Sequence, residues 1–268
     1  MMDEVRLSMV SMNSVTGDIE GNLSRMLSFC EAASDSGADI VCFPELCIPG
    51  YSMPDSAGLV TPADGPEVGR IIDASADTGM CICFGYVDEG PRIAQSVVED
   101  GRLLGTYHKT HLGEREAPVM VPGDSLRTIR TSRAVIGLQV CWEIHFPEIS
   151  GTYALQGADI ILMPSASGLG GDRRRSAWDR VIPARAYDNT VYAAVCNQIG
   201  DNGRGVTFGG GVAVYDVRGR KMAEDFSGEC MVTVDLDPEP LERIRAEGYE
   251  SMRDVYFLDK RRPELYYR

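Results

Sequence analysis

The feature that most constrains this chain is the alternation of short β-rich runs with helix-periodic stretches. A sequence that keeps switching between a period of 2 and a period of 3.6 builds sheets covered by helices, the α/β class. "VRLSMVSM" at residues 5–12 reads as a strand, and Asp18–Ser36 reads as a helix with Ile19, Leu23, Met26, Leu27, Cys30 and Ala33 along one face. "GADIVCFPE" then enters a short buried strand that stops at Pro44. A helix marked by Val68, Ile71 and Ile72, a buried strand "MCICFGYV" and a hairpin turning at Asp100-Gly101 complete the first half. The second half repeats the order, with strands over 126–131 and 134–140, a helix after Pro147, a strand at 159–164 and a helix running to about Asn189. Further strands follow in "VYAAVCNQ" and around "VYDVRGRKM". "GADIVCFPE" (37–45) and "GADIILMPS" (157–165) resemble each other as helix-to-strand junctions, which predicts two similar halves packed together.

With 268 residues, 44% of them hydrophobic, the chain can bury a full core, and residues 1–268 are expected to form one domain. The formal charge of -14 opposes a nucleic-acid partner, whose phosphates are neutralised by Lys and Arg. No stretch approaches the ~18 uninterrupted apolar residues of a membrane span, and the acidic, strand-like start does not resemble a targeting segment. The expectation is a cytoplasmic protein acting on a small molecule, with neither nucleic acid nor membrane as partner. Most of the eight cysteines lie in or beside apolar runs, so they read as buried free thiols, and no His or Cys pair stands at metal-ligand spacing. No metal or organic cofactor is expected. The glycine-rich "GLGG" and "GRGVTFGGG" match no phosphate-binding spacing. From Asp237 the chain turns polar and charged, and 237–268 read as a C-terminal arm.

Serine-triad and zinc-hydrolase signatures are missing, and the three histidines, His108, His111 and His145, compose neither. Three strand-end positions remain: Glu45 after "IVCFP", Lys109 after "LLGTYH" and Cys141 after "VIGLQV". Ends of buried strands are where a rigid scaffold meets an open crevice. Cys141 would be the nucleophile and Lys109 the cation that favours its ionised form and stabilises an oxyanion, together with the backbone N–H of Trp142. Glu45 would move the protons. Each also has an ordinary reading: a core cysteine, a helix-capping glutamate, a solvated lysine.

Taken together these segments are similar to the nitrilase superfamily, the carbon–nitrogen hydrolases, over nearly the whole chain. "GADIVCFPELCIPGY", "YHKTHLGE" and "GLQVCWEIHFPE" resemble its glutamate, lysine and cysteine segments, in that order. "GADIILMPSAS", "PARAYDN", "VCNQIGDNG", the F-x-G-G region and "RRPELY" add to the likeness. The resemblance implies a four-layer α-β-β-α sandwich and a homodimer or larger assembly in which the 237–268 arm takes part. It implies a triad of Glu45, Lys109 and Cys141, with a second glutamate before Pro122-Gly123 that orients Lys109. Glu116 is the choice for that role and Glu114 the competitor; Asn197 and Arg185 are read as structural support. Phe146-Pro147-Glu148 points to the amidase and carbamoylase side, although Trp142-Glu143 has a nitrilase look. The implied activity is hydrolysis of a linear carboxamide or N-carbamoyl amine through an acyl-enzyme, releasing ammonia. The alternatives are a nitrilase, a glutaminase module working with a synthetase domain, and a non-catalytic member that binds a metabolite or protein. The arginines of "GDRRRSAWDR" could supply an anion contact, or form a solvated face.

Overall fold

A computed structural model describes residues 2–246 and 255–266. The first half runs β1 (Val5–Ser11), α1 (Ile19–Asp35), β2 (Ile40–Cys42), α2 (Pro66–Thr78), β3 (Cys81–Asp88), β4 (Arg92–Glu99) and β5 (Arg102–His108). The second runs β6 (Ile129–Arg130), β7 (Val135–Leu138), α3 (Pro147–Leu155), β8 (Ile160–Ser165), α4 (Gly171–Asn189), β9 (Tyr192–Asn197), β10 (Ile199–Asp201), β11 (Thr207–Gly209), β12 (Val212–Tyr215), β13 (Lys221–Asp225), β14 (Cys230–Leu236) and α5 (Glu239–Arg245). Two six-stranded sheets result, ordered β14-β1-β2-β3-β4-β5 and β13-β12-β9-β8-β7-β6, with β10 and β11 as a separate hairpin.

Alternation along the strands assigns the layers. Ile40 and Cys42 of β2 face a core shared with Ile136, Leu138 and Ile160 of the second sheet, while Val41 and Phe43 pack with Leu23, Met26, Val68 and Ile71 of α1 and α2. The second sheet covers its other face with α3 and α4, whose Tyr153, Trp178 and Ile182 are fully buried. The order is helices, sheet, sheet, helices, the α-β-β-α sandwich. No helix among the described residues is long and apolar enough to cross a membrane.

The two halves repeat each other at the level of individual hydrogen bonds. Gly37 and Gly157 both take positive φ (72° and 84°) to end a helix, as glycine does without steric cost. Asp39 then donates its N–H to Arg6 O (2.8 Å) and accepts from Arg6 N through Oδ2 (2.8 Å). Asp159 does the same with Val135 O (2.8 Å) and Val135 N (2.9 Å). The equivalent strands β2 and β8 each run parallel to both neighbours. Their C-terminal ends therefore emerge on the same rim.

The strands expected over 126–131 and 134–140 are shorter, because Gln139 and Val140 already lead into a turn. The hairpin of β10 and β11 was not legible in its glycine-rich sequence. Of the expected arm, 247–254 and 267–268 lie outside the described residues. Phe257 packs at a tilt against Tyr187 of the same chain (5.5 Å between centroids) and Leu258 is buried, so 255–266 fold back on the helical layer of the second sheet.

Candidate active site

Where β2 and β8 end, the chain brings together the side chains that the sequence spreads over a hundred residues. After β2 the backbone turns at Leu46, whose φ is positive (49°), and the turn lies directly on β3 at Gly85. A Cβ at Gly85 would stand 2.4 Å from Leu46 N and 2.9 Å from Pro44 O, so the glycine permits the approach. Gln198 fixes the turn from behind by donating to Glu45 O (2.7 Å). Glu45 is thereby buried completely, with Oε2 accepting from Ala166 N (3.0 Å) just beyond β8.

Lys109 follows β5 and is 1% exposed. Its Nζ donates to Glu45 Oε1 and to Glu116 Oε1, both at 2.7 Å. Glu116 in turn accepts from Tyr51 OH (2.9 Å) and Gly113 N (2.7 Å). Glu114 is exposed at the rim of the cavity and makes no contact with Lys109 among the interactions described. Pro122-Gly123 returns against this segment: Gly123 N donates to Lys109 O (2.9 Å), and a Cβ there would collide with His108 O at 2.1 Å.

Cys141 opens a tight turn, Cys141–His145, with φ of 52°, a conformation that L side chains rarely adopt. Gln139 braces the turn by donating to Glu143 O (2.6 Å) and Phe146 O (3.1 Å), and Arg185 donates to Ile144 O (3.2 Å). Asn197 holds the facing loop through Ser167 N (2.8 Å) and Ser167 O (3.0 Å). The Trp142 ring is 47% exposed, edge-on to His145 and Phe146. The Cys141 sulfur lines a cavity of about 490 Å³ with Tyr51, Glu116, Trp142, Ala166 and Phe208.

The electrostatics follow from burial. Burial raises Glu45 to about 7 against the opposing pull of Lys109, with Glu116 adding to the rise. Burial also tends to lower Lys109, but Glu45, Cys141 and Glu116 together hold it above its ordinary value, so it is an ammonium. Cys141 is pushed up to about 12 by burial and then by Glu45, with Lys109 opposing. Lys109 pulls the sulfur toward its ionised form, but burial and Glu45 outweigh that pull, so the resting group is a thiol.

One buried carboxylate was missed as a functional element. Glu143, fully buried, accepts through Oε1 from Tyr107 OH (2.7 Å), Thr110 N (2.8 Å), Thr110 Oγ1 (2.8 Å) and His111 N (3.0 Å), and through Oε2 from Val140 N (2.8 Å). It pins the end of the lysine strand to the turn that carries the cysteine. Its position two residues after Cys141 was the available signal. The Ala166 N–H that meets Glu45 has no side chain to betray it; the likeness of "GADIILMPS" to "GADIVCFPE" was the clue.

Two sheets back to back, with Cys141 and Glu116 on an open cavity and the Glu45–Lys109 pair buried against Glu116, fit an enzyme class that attacks carbon–nitrogen bonds through sulfur. The model of the carbon–nitrogen hydrolase family matches residues 6–246, and this chain belongs to that family. It is similar to an (R)-stereoselective amidase of Pseudomonas sp., 29% identical over 93% of this chain and 91% of that one. A probable nitrilase of Schizosaccharomyces pombe is 25% identical over 99% and 98%. Among solved structures, an amidase of the nitrilase superfamily from Nesterenkonia AN1 superposes with a TM-score of 0.83 at 25% identity, covering 97% of this chain and 95% of that one. The chain is therefore a hydrolase of carbon–nitrogen bonds.

Proposed function

We propose that this enzyme hydrolyses a small linear carboxamide or N-carbamoyl amine, using Cys141 as nucleophile, Glu45 as proton carrier and Lys109 as oxyanion stabiliser. The observation that carries the reading is the buried run of contacts from Glu45 to Lys109 Nζ (2.7 Å) and on to Glu116 (2.7 Å), which lines one open cavity together with Cys141. Glu45 takes the thiol proton as sulfur attacks the carbonyl carbon. The ammonium of Lys109 and the Trp142 N–H receive the charge that develops on oxygen. Glu45 then protonates the nitrogen, the C–N bond breaks, and ammonia leaves behind a thioester. Water attacks the thioester while giving a proton to Glu45, the C–S bond breaks, and the sulfur recovers the proton. Glu116, held by Tyr51 and Gly113, keeps Lys109 aimed.

A nitrilase reading draws on the Schizosaccharomyces pombe relative and on Trp142-Glu143. The amide reading is favoured by Phe146-Pro147-Glu148 and by the amidase neighbours. Ammonia release from a paired nitrile and amide with the same R group separates the two. Cys141→Ala removes turnover entirely and costs on the order of 1–2 kcal/mol of stability. Mass spectrometry of the wild type finds an acyl adduct on Cys141, and undiminished ammonia from the variant would end the proposal. In the same reading the protein is cytoplasmic and works as a homodimer or larger assembly.

A further inference from the structure

Between Leu138 and Val140, in an otherwise apolar run at the end of β7, stands one amide side chain, Gln139, and it is fully buried. A polar group in such a place costs stability unless its hydrogen bonds are made. Gln139 makes them with two other elements. Nε2 donates to Glu143 O (2.6 Å) and Phe146 O (3.1 Å) of the cysteine turn, and Oε1 accepts from Ser150 Oγ (2.6 Å) on α3. Its own N–H donates to Leu162 O on β8 (3.0 Å), so the base of the clamp is fixed to the sheet.

What the clamp holds is the peptide between Cys141 and Trp142. Glu143 N donates to Val140 O (3.0 Å) and Val140 N to Glu143 Oε2 (2.8 Å), which closes a tight turn with that peptide at its centre. Turns of one length differ in how their central peptide is rotated, and here that rotation decides where the Trp142 N–H points. Among the described residues this N–H meets no backbone acceptor, and Trp142 lines the cavity beside Cys141. The same device serves the Glu45 turn. Gln198 Nε2 donates to Glu45 O (2.7 Å) and Leu46 O (3.3 Å), where Leu46 has a φ of 49°, as Cys141 has one of 52°. Each left-handed residue at the site is thus matched by a buried amide that takes two carbonyls of its turn.

We propose that Gln139, oriented by Ser150, is a positioning residue for the oxyanion: it holds the cysteine turn so that the Trp142 N–H faces the oxygen of the tetrahedral intermediate. The proposal rests on the reading of Cys141 as the nucleophile of an amide hydrolase. Gln139→Met keeps the length of the side chain and removes both bonds to the carbonyls. Its kcat, on the carboxamide that the wild type turns over fastest, falls by about 10²-fold, the worth of one oxyanion donor, while KM stays near the wild-type value. Alkylation of Cys141 by iodoacetamide is the control. There sulfur displaces iodide at a saturated carbon, no charge develops on a carbonyl oxygen, and the variant keeps the wild-type rate. Ser150→Ala leaves the amide in place without its orienting bond and shows the same split to a smaller degree; should Gln139→Met not fold, that split decides. An unchanged kcat overturns the inference, and so does an equal loss of turnover and alkylation, which would make Gln139 a brace for the site as a whole. Either result leaves the hydrolase standing, whereas a wild type that releases ammonia from no carboxamide sinks both.

Discussion

Cys141 combines three costs at one residue: a positive φ of 52°, a sulfur surrounded by buried charge, and a neighbouring carboxylate that resists a thiolate. A resting thiol with its base already in place is the consequence, and it ties the pH dependence to Glu45. The base must be ionised to accept the proton, so kcat/KM rises with pH through an apparent value near 7 and falls on the acid side, where Glu45 is protonated. The same shift acts on stability with the opposite sense. The folded protein keeps the Glu45 proton up to about 7, while the unfolded chain releases it near the ordinary 4.5. Stability from this group is thus fully present below 4.5 and is lost as pH rises through 7. Denaturant midpoints and pH–rate profiles measured over that window check both halves. An acid limb centred at 4.5 would show that Glu45 is not the titrating base.

Between elements, the joint that matters most is Glu143. Five donors from the lysine strand end, its following turn and the cysteine turn meet on one carboxylate, and three of them are backbone N–H groups, that of Val140 buried and those of Thr110 and His111 partly so. Replacing Glu143 by Ala leaves those donors unpaired and lowers stability by roughly 3 kcal/mol, a fall in Tm of about 6–12 °C for a chain of this size. Activity falls further than stability explains, because Lys109 and Cys141 are no longer held to one another. Glu143→Gln keeps the shape and lessens the loss of Tm. Thermal melts and kcat/KM of the two variants test this, and an alanine variant with unchanged rate would reduce Glu143 to a structural brace.

At the scale of the molecule, residues 255–266 lie on α4 through Phe257 and Leu258, beside a hollow lined by Pro147, Arg185 and Arg261. Exposed Trp142 and Leu155 belong to the same second half, on the turn after Cys141 and at the end of α3. In the proposed assembly this region meets a second copy. Light scattering on the full chain gives at least twice the chain mass, and a chain ending at residue 246 shifts toward the monomer. A full chain that stays monomeric at high concentration would remove the assembly from the proposal.

The amino-acid order by itself determined the alternating elements, the repeated junctions at 37–45 and 157–165, and the positions of Glu45, Lys109 and Cys141 at strand ends. Those are properties of periodicity and of local chemistry, which each segment carries without its neighbours. Tertiary structure decided what depends on distant segments meeting. Glu116 rather than Glu114 lies on Lys109, since the turn from Gly113 to Met120 points one carboxylate inward and leaves the other in solvent. Glu143 became a clamp when β5 ended beside the cysteine turn, and Arg174 lost its water while Arg173 kept it, through the seating of α4 on its sheet. Charge state followed the same rule: the thiol and Glu45 are shifted by burial and by each other, and neither burial nor mutual distance is written in a linear string.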